Sequence, residues 1–588
     1  MPKTAQRTCR CSSRCRPMKI RHQIRNRMIA VFLIILTGFS FLSADAMACT
    51  ALYAGSSITA NGSVYMGRSE DYGPDYVKQF VIVPAADHEE GELFEDEYGF
   101  CVPYPAHTLR YSAVMDDPSQ YSGRTRIPYG EAGINEKGVS VSATESTFFH
   151  KKVLAVDPLT DGGLTEISMA SYILQSAETA LNGVELLADC IARYGHGNTD
   201  PGNPENCEVS TVLIADREET WLFEIVSGHQ YVAVRLSDDT VSVIPNAIMT
   251  QQINIHDRNV VCSPGLISTA IDGGFYVTDI EGDGEINVAK SYSEGYAPHA
   301  GYRYYYAAWI LNRELAEAID IIPRSAASLA DQYPHASIDE GAAGPFCVEY
   351  RPSEAYRGII DLMTFRQVFG SHGEDTAYET TSKNISSDGA SMRAIGTYRQ
   401  NEEHIFEIRR NHSFPVSVCT IEWLAMGPSE FSVYVPFYAA AMTETPDAYT
   451  TETTDGFDPD SVYWLFNEIG NAGNGRYYRK DASGVYSDRY GNETDPETAE
   501  AVLLALSDSA FVENLHSSMI RAQEEMNAKA AADDALILAL AGAGSVDEVS
   551  AMADKLAREN AEFIRSFASA TLTEIDETVN RIVLMPGN

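Results

Sequence analysis

The chain of 588 residues contains 44% hydrophobic and 21% charged residues, the balance of a folded globular protein, and its length allows several domains. The net charge of −40 is unevenly spread, because residues 1–48 hold nine basic residues and a single acid, Asp45. Such an acidic chain argues against nucleic acid or anionic membranes as partners, since phosphate binding requires a basic surface.

The first 48 residues have the pattern of an export signal. A basic stretch precedes the apolar run 29–36, and Ala46-Met47-Ala48 places small residues at the positions that signal peptidase reads. The apolar run is short for a membrane span of about 20 residues, which favours cleavage over an uncleaved anchor. A lipoprotein signal also cleaves before a Cys, but such sites normally have Leu where this chain has Ala46. We therefore expect a secreted or cell-envelope protein that starts at Cys49 and keeps no membrane span.

Ten cysteines are present, and three of them would be lost with the signal. The seven that remain are Cys49, Cys101, Cys190, Cys207, Cys262, Cys347 and Cys419. An odd count in an exported chain predicts at least one free thiol and leaves the pairing of the other six open. Burial as small hydrophobic residues is the simpler interpretation of those six.

The segment after Cys49 alternates short β segments with turns. A strand is predicted from Thr50 to Tyr53, a turn at 59–62 with an Asn-Gly pair, and a returning strand from Ser63 to Met66. A second β unit runs from Ile127 through a tight turn at 133–138 into a strand at 139–143.

Residues 166–193 have the apolar spacing of a helix, with a break expected near Asn182-Gly183 and a stop at Gly195. Strands are then predicted at 210–215, 220–225, 231–236 and 241–244. Sheets with segregated helices define an α+β protein.

Beyond residue 322, irregular stretches rich in Pro, Gly and Ser alternate with aromatic-rich segments, and no regular element is assigned there. The chain becomes helical after Pro496, with amphipathic spacing at 499–507, 510–529 and 547–568. We therefore predict a signal peptide at 1–48, a main domain at 49–480 and a helical C-terminal region at 481–588.

Cleavage after Ala48 would leave Cys49 with a thiol and a free α-amine on one residue. An α-amine has a pKa of about 7.7–8.0 and can act as a base near neutral pH, whereas a Lys amine with a pKa near 10.4 stays protonated. The thiolate is the nucleophilic form of Cys. Cys49 therefore has the composition of an N-terminal nucleophile that carries its own base.

The pentapeptide Gly67-Arg68-Ser69-Glu70-Asp71 follows the first predicted hairpin, where a returning strand would lie beside Cys49. Arg68 in this position would stabilise the thiolate, because a neighbouring cation favours the charged form. Asp71 would orient the α-amine and balance the charge of Arg68. By itself, the pentapeptide is more typical of a surface Arg–Asp pair at a strand end.

These residues resemble the cysteine dipeptidases related to dipeptidase A of lactic acid bacteria, a family allied to penicillin V acylase and bile salt hydrolase. Further motifs follow in the same order over most of the chain from Cys49 to about residue 480. They are Gly133-Ile-Asn-Glu-Lys-Gly-Val139, Ala143-Thr-Glu-Ser146, Arg193-Tyr-Gly195, Trp221-Leu-Phe-Glu224, Pro245-Asn246, Tyr302-Arg303, Trp309, Trp423 and Tyr434-Val-Pro-Phe-Tyr438.

The resemblance implies a four-layer αββα fold with two facing antiparallel sheets, and it implies catalytic roles for individual residues. Cys49 would be the nucleophile, Arg68 the thiolate-stabilising residue and Asp71 its acidic partner. Asn246 would supply a side-chain amide to the oxyanion hole, and Arg303 would be a second active-site Arg. As alternatives, Asn246 serves a turn and Arg303 packs on neighbouring tyrosines.

Glu145 departs from the pattern, because bile salt hydrolases have an amide side chain at the corresponding place. A carboxylate would repel an oxyanion, so we expect Glu145 to bind the ammonium group of a substrate that has a free N-terminus. No metal or organic cofactor is required by this mechanism. The acidic stretch 279–285 lacks the Glu that a calcium loop needs at its twelfth position, which is Lys290.

The sequence as a whole predicts an exported cysteine dipeptidase that acts on small peptides. The alternatives are an amidase of the penicillin or bile-salt acylase type, which uses the same centre with another pocket, and a lipid-anchored binding protein without a catalytic thiol. A free substrate α-amine is required by a dipeptidase and not by an acylase, whereas a lipoprotein would carry its lipid on Cys49.

Overall fold

The computed structural model describes residues 49–584 except 74–75, 119–128, 201, 294, 296–297, 320–345, 381–392, 452, 455 and 482, and describes residues 144–146 and 298 by their backbone alone. The predicted export signal and residue 127 lie outside the described residues. Within the described ranges, none of the helices combines the length and the apolar character that a membrane span requires.

The strands in chain order begin with β1 (Thr50–Ala54), β2 (Ser63–Asp71), β3 (Lys78–Val83), β4 (Ala86–Asp87), β5 (Leu93–Glu95), β6 (Cys101–Pro103), β7 (His107–Thr108), β8 (Tyr111–Asp116), β9 (Gly130–Ile134), β10 (Ser140–Phe148) and β11 (Glu208–Ala215). They continue with β12 (Thr220–Ile225), β13 (Tyr231–Arg235), β14 (Val241–Ile244), β15 (Gln252–Asn254), β16 (Val260–Cys262), β17 (Glu285–Asn287), β18 (Gln400–Arg409), β19 (Thr420–Met426), β20 (Val435–Phe437), β21 (Arg479–Lys480), β22 (Tyr486–Ser487) and β23 (Glu493–Thr494). The helices are α1 (Glu166–Leu174), α2 (Ala180–Tyr194), α3 (Leu266–Gly273), α4 (Val288–Tyr292), α5 (Pro298–Leu311), α6 (Arg313–Ala318), α7 (Leu362–Phe369), α8 (Val462–Gly473), α9 (Pro496–Leu506), α10 (Ser509–Ala541) and α11 (Val546–Leu584).

Two antiparallel sheets form the centre of the molecule. The six-stranded sheet has the order β14-β1-β2-β18-β19-β20, and the eight-stranded sheet has the order β16-β13-β12-β11-β10-β9-β8-β3. Strand β10 lies against β1 and β2, so the sheets contact each other. Helices α1 and α2 cover the eight-stranded sheet, and α7, α8 and α11 contact the six-stranded sheet. The α+β prediction is confirmed at this level.

Burial on both sides explains the sequence of the first hairpin. All residues of β1 and β2 are buried, including Arg68, Glu70 and Asp71. A strand that is covered on both faces normally consists of apolar residues. The charged residues of β2 are therefore a departure that requires buried partners.

The break in the predicted helix at 166–193 was placed wrongly. The chain leaves α1 after Leu174, and Thr179 caps the start of α2 by accepting a hydrogen bond from the Asn182 amide. Gly183 lies inside α2, where an added β-carbon would be 3.1 Å from methyl groups of Ile173 and Ile214. The glycine therefore allows close packing rather than a break. The predicted stop at Gly195 is confirmed by its φ of 75°.

The predicted C-terminal helices are present and extend further than the spacing indicated, because α10 ends at Ala541 and α11 at Leu584. Most buried apolar residues of α10 and α11 share one hydrophobic cluster with the six-stranded sheet, whereas Val502 and Leu506 of α9 pack with Val579 in a smaller cluster. Gln523 of α10 also accepts from the Tyr434 amide at 2.7 Å and donates to the Tyr434 carbonyl at 3.0 Å. Helices α10 and α11 are thus packed on the sheet, and the described residues from Cys49 onward belong to one compact unit.

None of the seven cysteines after residue 48 forms a disulfide within the described ranges. Burial as small hydrophobic residues is confirmed for Cys190, Cys207 and Cys419, while Cys262 is half-buried. It is wrong for Cys101 and Cys347, which are exposed.

Candidate active site

Strand pairing brings the predicted site residues to one end of the six-stranded sheet. Ala51 of β1 pairs with Arg68 on β2 and with Ile244 on β14. Cys49 precedes Ala51 by two residues and therefore points to the same face of the sheet as Arg68. Asn246 follows the end of β14 by two residues, and Arg303 Nη1 contacts both Asn246 Oδ1 and the Cys49 carbonyl oxygen. Arg68 and Asn246, which are far apart in sequence, thus both lie close to Cys49, the first residue of the predicted mature chain.

Arg68 is the residue that contacts the sulfur. Its Nη2 lies 3.0 Å from Cys49 Sγ, and both residues are buried. Its Nη1 donates to Glu131 Oε2 at 2.7 Å and to the Ala143 carbonyl oxygen. Burial alone would lower the pKa of Arg68, but the Cys49 sulfur and the Glu131 carboxylate raise it well above its usual value. Arg68 is therefore a permanent cation in contact with the thiol, which favours the thiolate.

Asp71 does not have the expected partner. Arg68 and Asp71 are three positions apart on β2 and therefore face opposite sides of the sheet. Asp71 instead binds three other guanidinium groups, those of Arg303, Arg393 and Arg399. Burial raises the pKa of Asp71, but the charges of Arg393 and Arg303 outweigh burial and hold it far below the usual range. The acidic partner of Arg68 is Glu131.

Arg303 on α5 connects the other predicted residues. Its Nη1 donates to the Cys49 carbonyl oxygen at 3.2 Å and to Asn246 Oδ1 at 3.4 Å, while Nη2 binds Asp71. Since Arg303 takes the carbonyl oxygen of the Asn246 side chain, the amide nitrogen is oriented away from the guanidinium. Burial lowers the pKa of Arg303, although the neighbouring charge of Asp71 acts to raise it. The alternative in which Arg303 packs only on tyrosines is wrong.

The expected role of Glu145 rests on a side chain outside the described residues. Its backbone lies in β10 beside a register shift between Ala143 and Glu145, where β10 pairs with β11. The carbonyl oxygen of Ala143 accepts from Arg68, so this irregular part of β10 borders the Cys49 site. The ammonium-binding role remains a prediction.

Behind Arg68 is a buried cluster of charges between the sheets. Lys78 Nζ lies 2.8 Å from Glu70 Oε1 and 2.6 Å from Glu131 Oε1, and it also binds Asp116. Burial and the neighbouring Glu131 raise the pKa of Glu70 well above its usual value. Of the two glutamates, Glu70 therefore retains a proton more readily than Glu131, whose pKa is lowered by the charges of Lys78 and Arg68 despite burial.

One group of acidic side chains among the described residues has oxygen atoms close enough for a shared metal ion, namely Glu70, Glu131 and Glu402. Lys78 already binds Glu70 and Glu131, so an ammonium group occupies the cation position beside them. Glu402 contacts His404 Nδ1 at 3.1 Å, and His404 Nε2 lies 2.8 Å from Ser142 Oγ on the opposite sheet. These contacts join the two sheets.

Sequence reasoning missed Glu131, Lys78, Arg393 and Arg399. Glu131 precedes the motif at 133–139 by two residues. The motif indicated a β unit at this place, but it did not indicate that Glu131 has a role in the site. Arg393 and Arg399 reach Asp71 from more than 300 residues further along the chain, and no spacing pattern indicates such a contact.

Comparisons with known proteins assign the chain to a family. The sequence profile of Peptidase family C69 matches residues 48–486. A protein of Streptococcus pyogenes serotype M1 named probable dipeptidase B is 30% identical over 441 residues, which cover 74% of this chain and 80% of that protein. A probable dipeptidase of Salmonella dublin is 29% identical over 67% of this chain and 81% of its own length. A probable dipeptidase of Latilactobacillus sakei is 28% identical over 72% of this chain and 80% of its own length. The chain therefore belongs to Peptidase family C69 and is a hydrolase of peptide bonds.

Proposed function

We propose that this protein is an exported cysteine dipeptidase whose nucleophile is the thiolate of Cys49 and whose general base is the α-amine released by cleavage after Ala48. The observation that carries the proposal is the 3.0 Å contact between Arg68 Nη2 and Cys49 Sγ inside a buried site. Membership of a peptidase family and the names of the relatives, which are dipeptidases, support the substrate class.

The reaction begins with transfer of the Cys49 thiol proton to the α-amine of the same residue. The thiolate attacks the peptide carbonyl carbon, and the oxyanion is stabilised by the Asn246 side-chain amide together with backbone N–H groups. The ammonium returns its proton to the leaving amine as the C–N bond breaks. Water, deprotonated by the same amine, then hydrolyses the thioester and regenerates the thiol.

Two arginines prepare the site for these steps. Arg68 stabilises the thiolate through a charge-assisted contact, and Arg303 holds the Cys49 carbonyl group and the oxygen of the Asn246 amide. Asp71 fixes Arg303 by an ion pair. The two facing sheets and their outer helices support assignment of a four-layer αββα fold of the N-terminal-nucleophile type.

The lipid-anchored alternative fits the geometry poorly. A thioether-linked lipid requires a sulfur that faces solvent or the membrane surface, whereas Cys49 is 1% exposed and contacts Arg68. The buried sulfur favours a catalytic thiol, and export in soluble form is part of the proposal.

Intact mass and peptidase activity of the exported protein test the proposal together. We expect a chain that starts at Cys49 with an unmodified amine and that cleaves a dipeptide more readily than its N-acetylated form. Cys49→Ala should abolish cleavage, while Cys101→Ser, which removes an exposed thiol, should leave it unchanged.

Different failures identify the alternatives. Preference for the N-acetylated compound would indicate an acylase-type amidase, and incorporation of labelled fatty acid at Cys49 would indicate a lipoprotein. Full activity of Cys49→Ala would exclude Cys49 as the nucleophile.

A further inference from the structure

A continuous chain of charged contacts leads from the Cys49 sulfur into the space between the sheets. Arg68 Nη2 contacts Sγ at 3.0 Å, Arg68 Nη1 binds Glu131 Oε2 at 2.7 Å, and Glu131 Oε1 binds Lys78 Nζ at 2.6 Å. The side chains of Arg68, Glu131 and Lys78 are fully buried. The mechanism described so far uses Arg68 and leaves Glu131 without a role.

The three side chains are placed by regular strands. Arg68 lies on β2 of the six-stranded sheet, whereas Glu131 on β9 and Lys78 on β3 belong to the eight-stranded sheet. Because strands hold side chains more rigidly than loops do, the position of Glu131 relative to Cys49 is fixed by the packing of one sheet on the other.

Glu131 binds a specific edge of the guanidinium group. The planar guanidinium has its donors in fixed directions, so anchoring Nη1 determines where Nη2 points. Glu131 and the Ala143 carbonyl oxygen both accept from Nη1, and the sulfur contacts Nη2. If the Glu131 contact were lost, Arg68 would keep its charge but could rotate away from the sulfur.

We propose that Glu131 is a positioning residue of the peptidase, which holds Arg68 against the Cys49 thiolate and is itself held by Lys78. The inference rests on the proposed role of Cys49 as the nucleophile. It adds a residue from the second sheet to the active site and makes the packing of the two sheets a condition for thiolate formation.

Glu131 could affect Cys49 through its negative charge or through the orientation that it gives to Arg68. Loss of the charge and loss of the orientation would change the pKa of the Cys49 thiol in opposite directions, so a measurement distinguishes the two effects. Removing the negative charge of Glu131 would by itself favour the thiolate and lower the Cys49 pKa. Releasing Arg68 from its fixed orientation would disfavour the thiolate and raise that pKa. A positioning role therefore predicts a raised thiol pKa in Glu131→Gln.

The test compares Glu131→Gln with Glu70→Gln in the exported, processed protein. Glu70 contacts the same Lys78, lies on the same strand as Arg68 and has a raised pKa, so Gln imitates its protonated form. The first measurement is the rate of iodoacetamide alkylation at Cys49 against pH, followed on the Cys49 peptide by mass spectrometry. The second is kcat and KM for a dipeptide.

For Glu131→Gln we expect the pH midpoint of Cys49 alkylation to rise by about one unit and kcat to fall by about tenfold or more, with a much smaller change in KM. Glu70→Gln should match the wild type in both measurements. An unchanged or lowered midpoint in Glu131→Gln, or an equal loss of kcat in both variants, would overturn the positioning role.

Glu131→Asp covers the case in which Glu131→Gln does not fold. It keeps the charge and shortens the side chain, so a positioning role predicts a raised alkylation midpoint although the charge is unchanged. A wild-type midpoint in a folded Glu131→Asp protein would contradict the proposal. Failure of the wild type to cleave dipeptides would count against the proposed function instead, because the alkylation readout does not depend on turnover.

Discussion

Arg303 donates a hydrogen bond to the carbonyl oxygen of Cys49 at 3.2 Å from a helix that begins about 250 residues later in the chain. The same guanidinium group binds Asp71 and the oxygen of the Asn246 side chain. One buried cation therefore fixes the backbone of the proposed nucleophile and the orientation of the proposed oxyanion donor, and the position of this cation depends on its ion pair with Asp71.

Replacement of Arg303 by Lys tests this triple contact. A single ammonium group cannot reach all three acceptors in the directions that a guanidinium reaches, so we expect kcat to fall by about 100-fold while the positive charge is retained. Steady-state kinetics with a dipeptide measure the effect.

Arg313→Lys provides the matched control for Arg303→Lys. Arg313 is exposed at the start of the next helix, and its replacement should leave kcat unchanged. Near-normal turnover in a folded Arg303→Lys protein would show that the three contacts are dispensable for catalysis.

The first half of the fold could be predicted more fully than the second, because its strands have the pattern of apolar residues from which strands are predicted. The strands expected at 220–225 and 241–244 have the predicted bounds. In contrast, β18 contains Gln400, Glu402, Glu403 and His404, all of which are buried. Periodicity of apolar residues cannot identify such a strand, because its buried polar residues depend on partners elsewhere in the chain, such as Ser142 for His404 and Ser69 for Gln400.

The candidate site shows the same division. Cys49, Arg68 and Asp71 are close in sequence and could be singled out from the local chain and its predicted cleavage site. The pairing of the charges could not be predicted in this way. Glu131, rather than Asp71, is the partner of Arg68 because a second sheet packs against β2. Strand alternation alone already places Arg68 and Asp71 on opposite faces.

Gln523 should contribute to stability rather than to catalysis. Its side chain makes two hydrogen bonds to the backbone of Tyr434 and is fully buried. We expect Gln523→Ala to lower the free energy of unfolding by about 1–3 kcal/mol, because both backbone groups lose their partner in a buried position.

Urea unfolding of Gln523→Ala measures this loss, with Glu524→Ala on the exposed face of the same helix as the control. The kcat of Gln523→Ala at 25 °C should equal that of the wild type. A stability equal to that of Glu524→Ala would show that α10 does not depend on these hydrogen bonds for its packing on the sheet.

Glu422 should make the stability fall as the pH rises. Burial is the main cause that raises its pKa to about 8, and a hydrogen bond from Ser112 Oγ at 2.7 Å partly opposes this rise. In the unfolded chain Glu422 ionises near its ordinary pKa, whereas in the folded protein it keeps its proton. Its favourable contribution is therefore complete below pH 4.5 and is lost progressively until the pH passes 8.

Glu422→Gln removes this titration and keeps a neutral acceptor for Ser112. We expect the variant to be more stable than the wild type at pH 8, by a few kcal/mol, and to show a weaker decline of stability between pH 5 and 8. Urea unfolding across this range measures the difference. Glu314→Gln, an exposed change of the same charge, should retain the wild-type slope, and a retained slope in Glu422→Gln would contradict the assignment.

The α-amine of Cys49 should be required for turnover at neutral pH. Two recombinant chains that differ by one residue, starting at Cys49 and at Ala48, separate the amine from the thiol. In the longer chain the nitrogen of Cys49 is an amide and cannot accept the thiol proton, so we expect kcat to fall by about 100-fold or more. The chain starting at Cys49 should gain activity with a midpoint near pH 7.7–8.0, as an α-amine loses its proton.

Alkylation of Cys49 in both chains provides the control for access to the thiol. If the thiol of the longer chain is alkylated while its peptidase activity is lost, the missing group is the base and not the nucleophile. Equal kcat in the two chains would show that another side chain accepts the proton. In that case the predicted cleavage after Ala48 would serve export alone, and the proposed stabilisation of the thiolate by Arg68 would be unaffected.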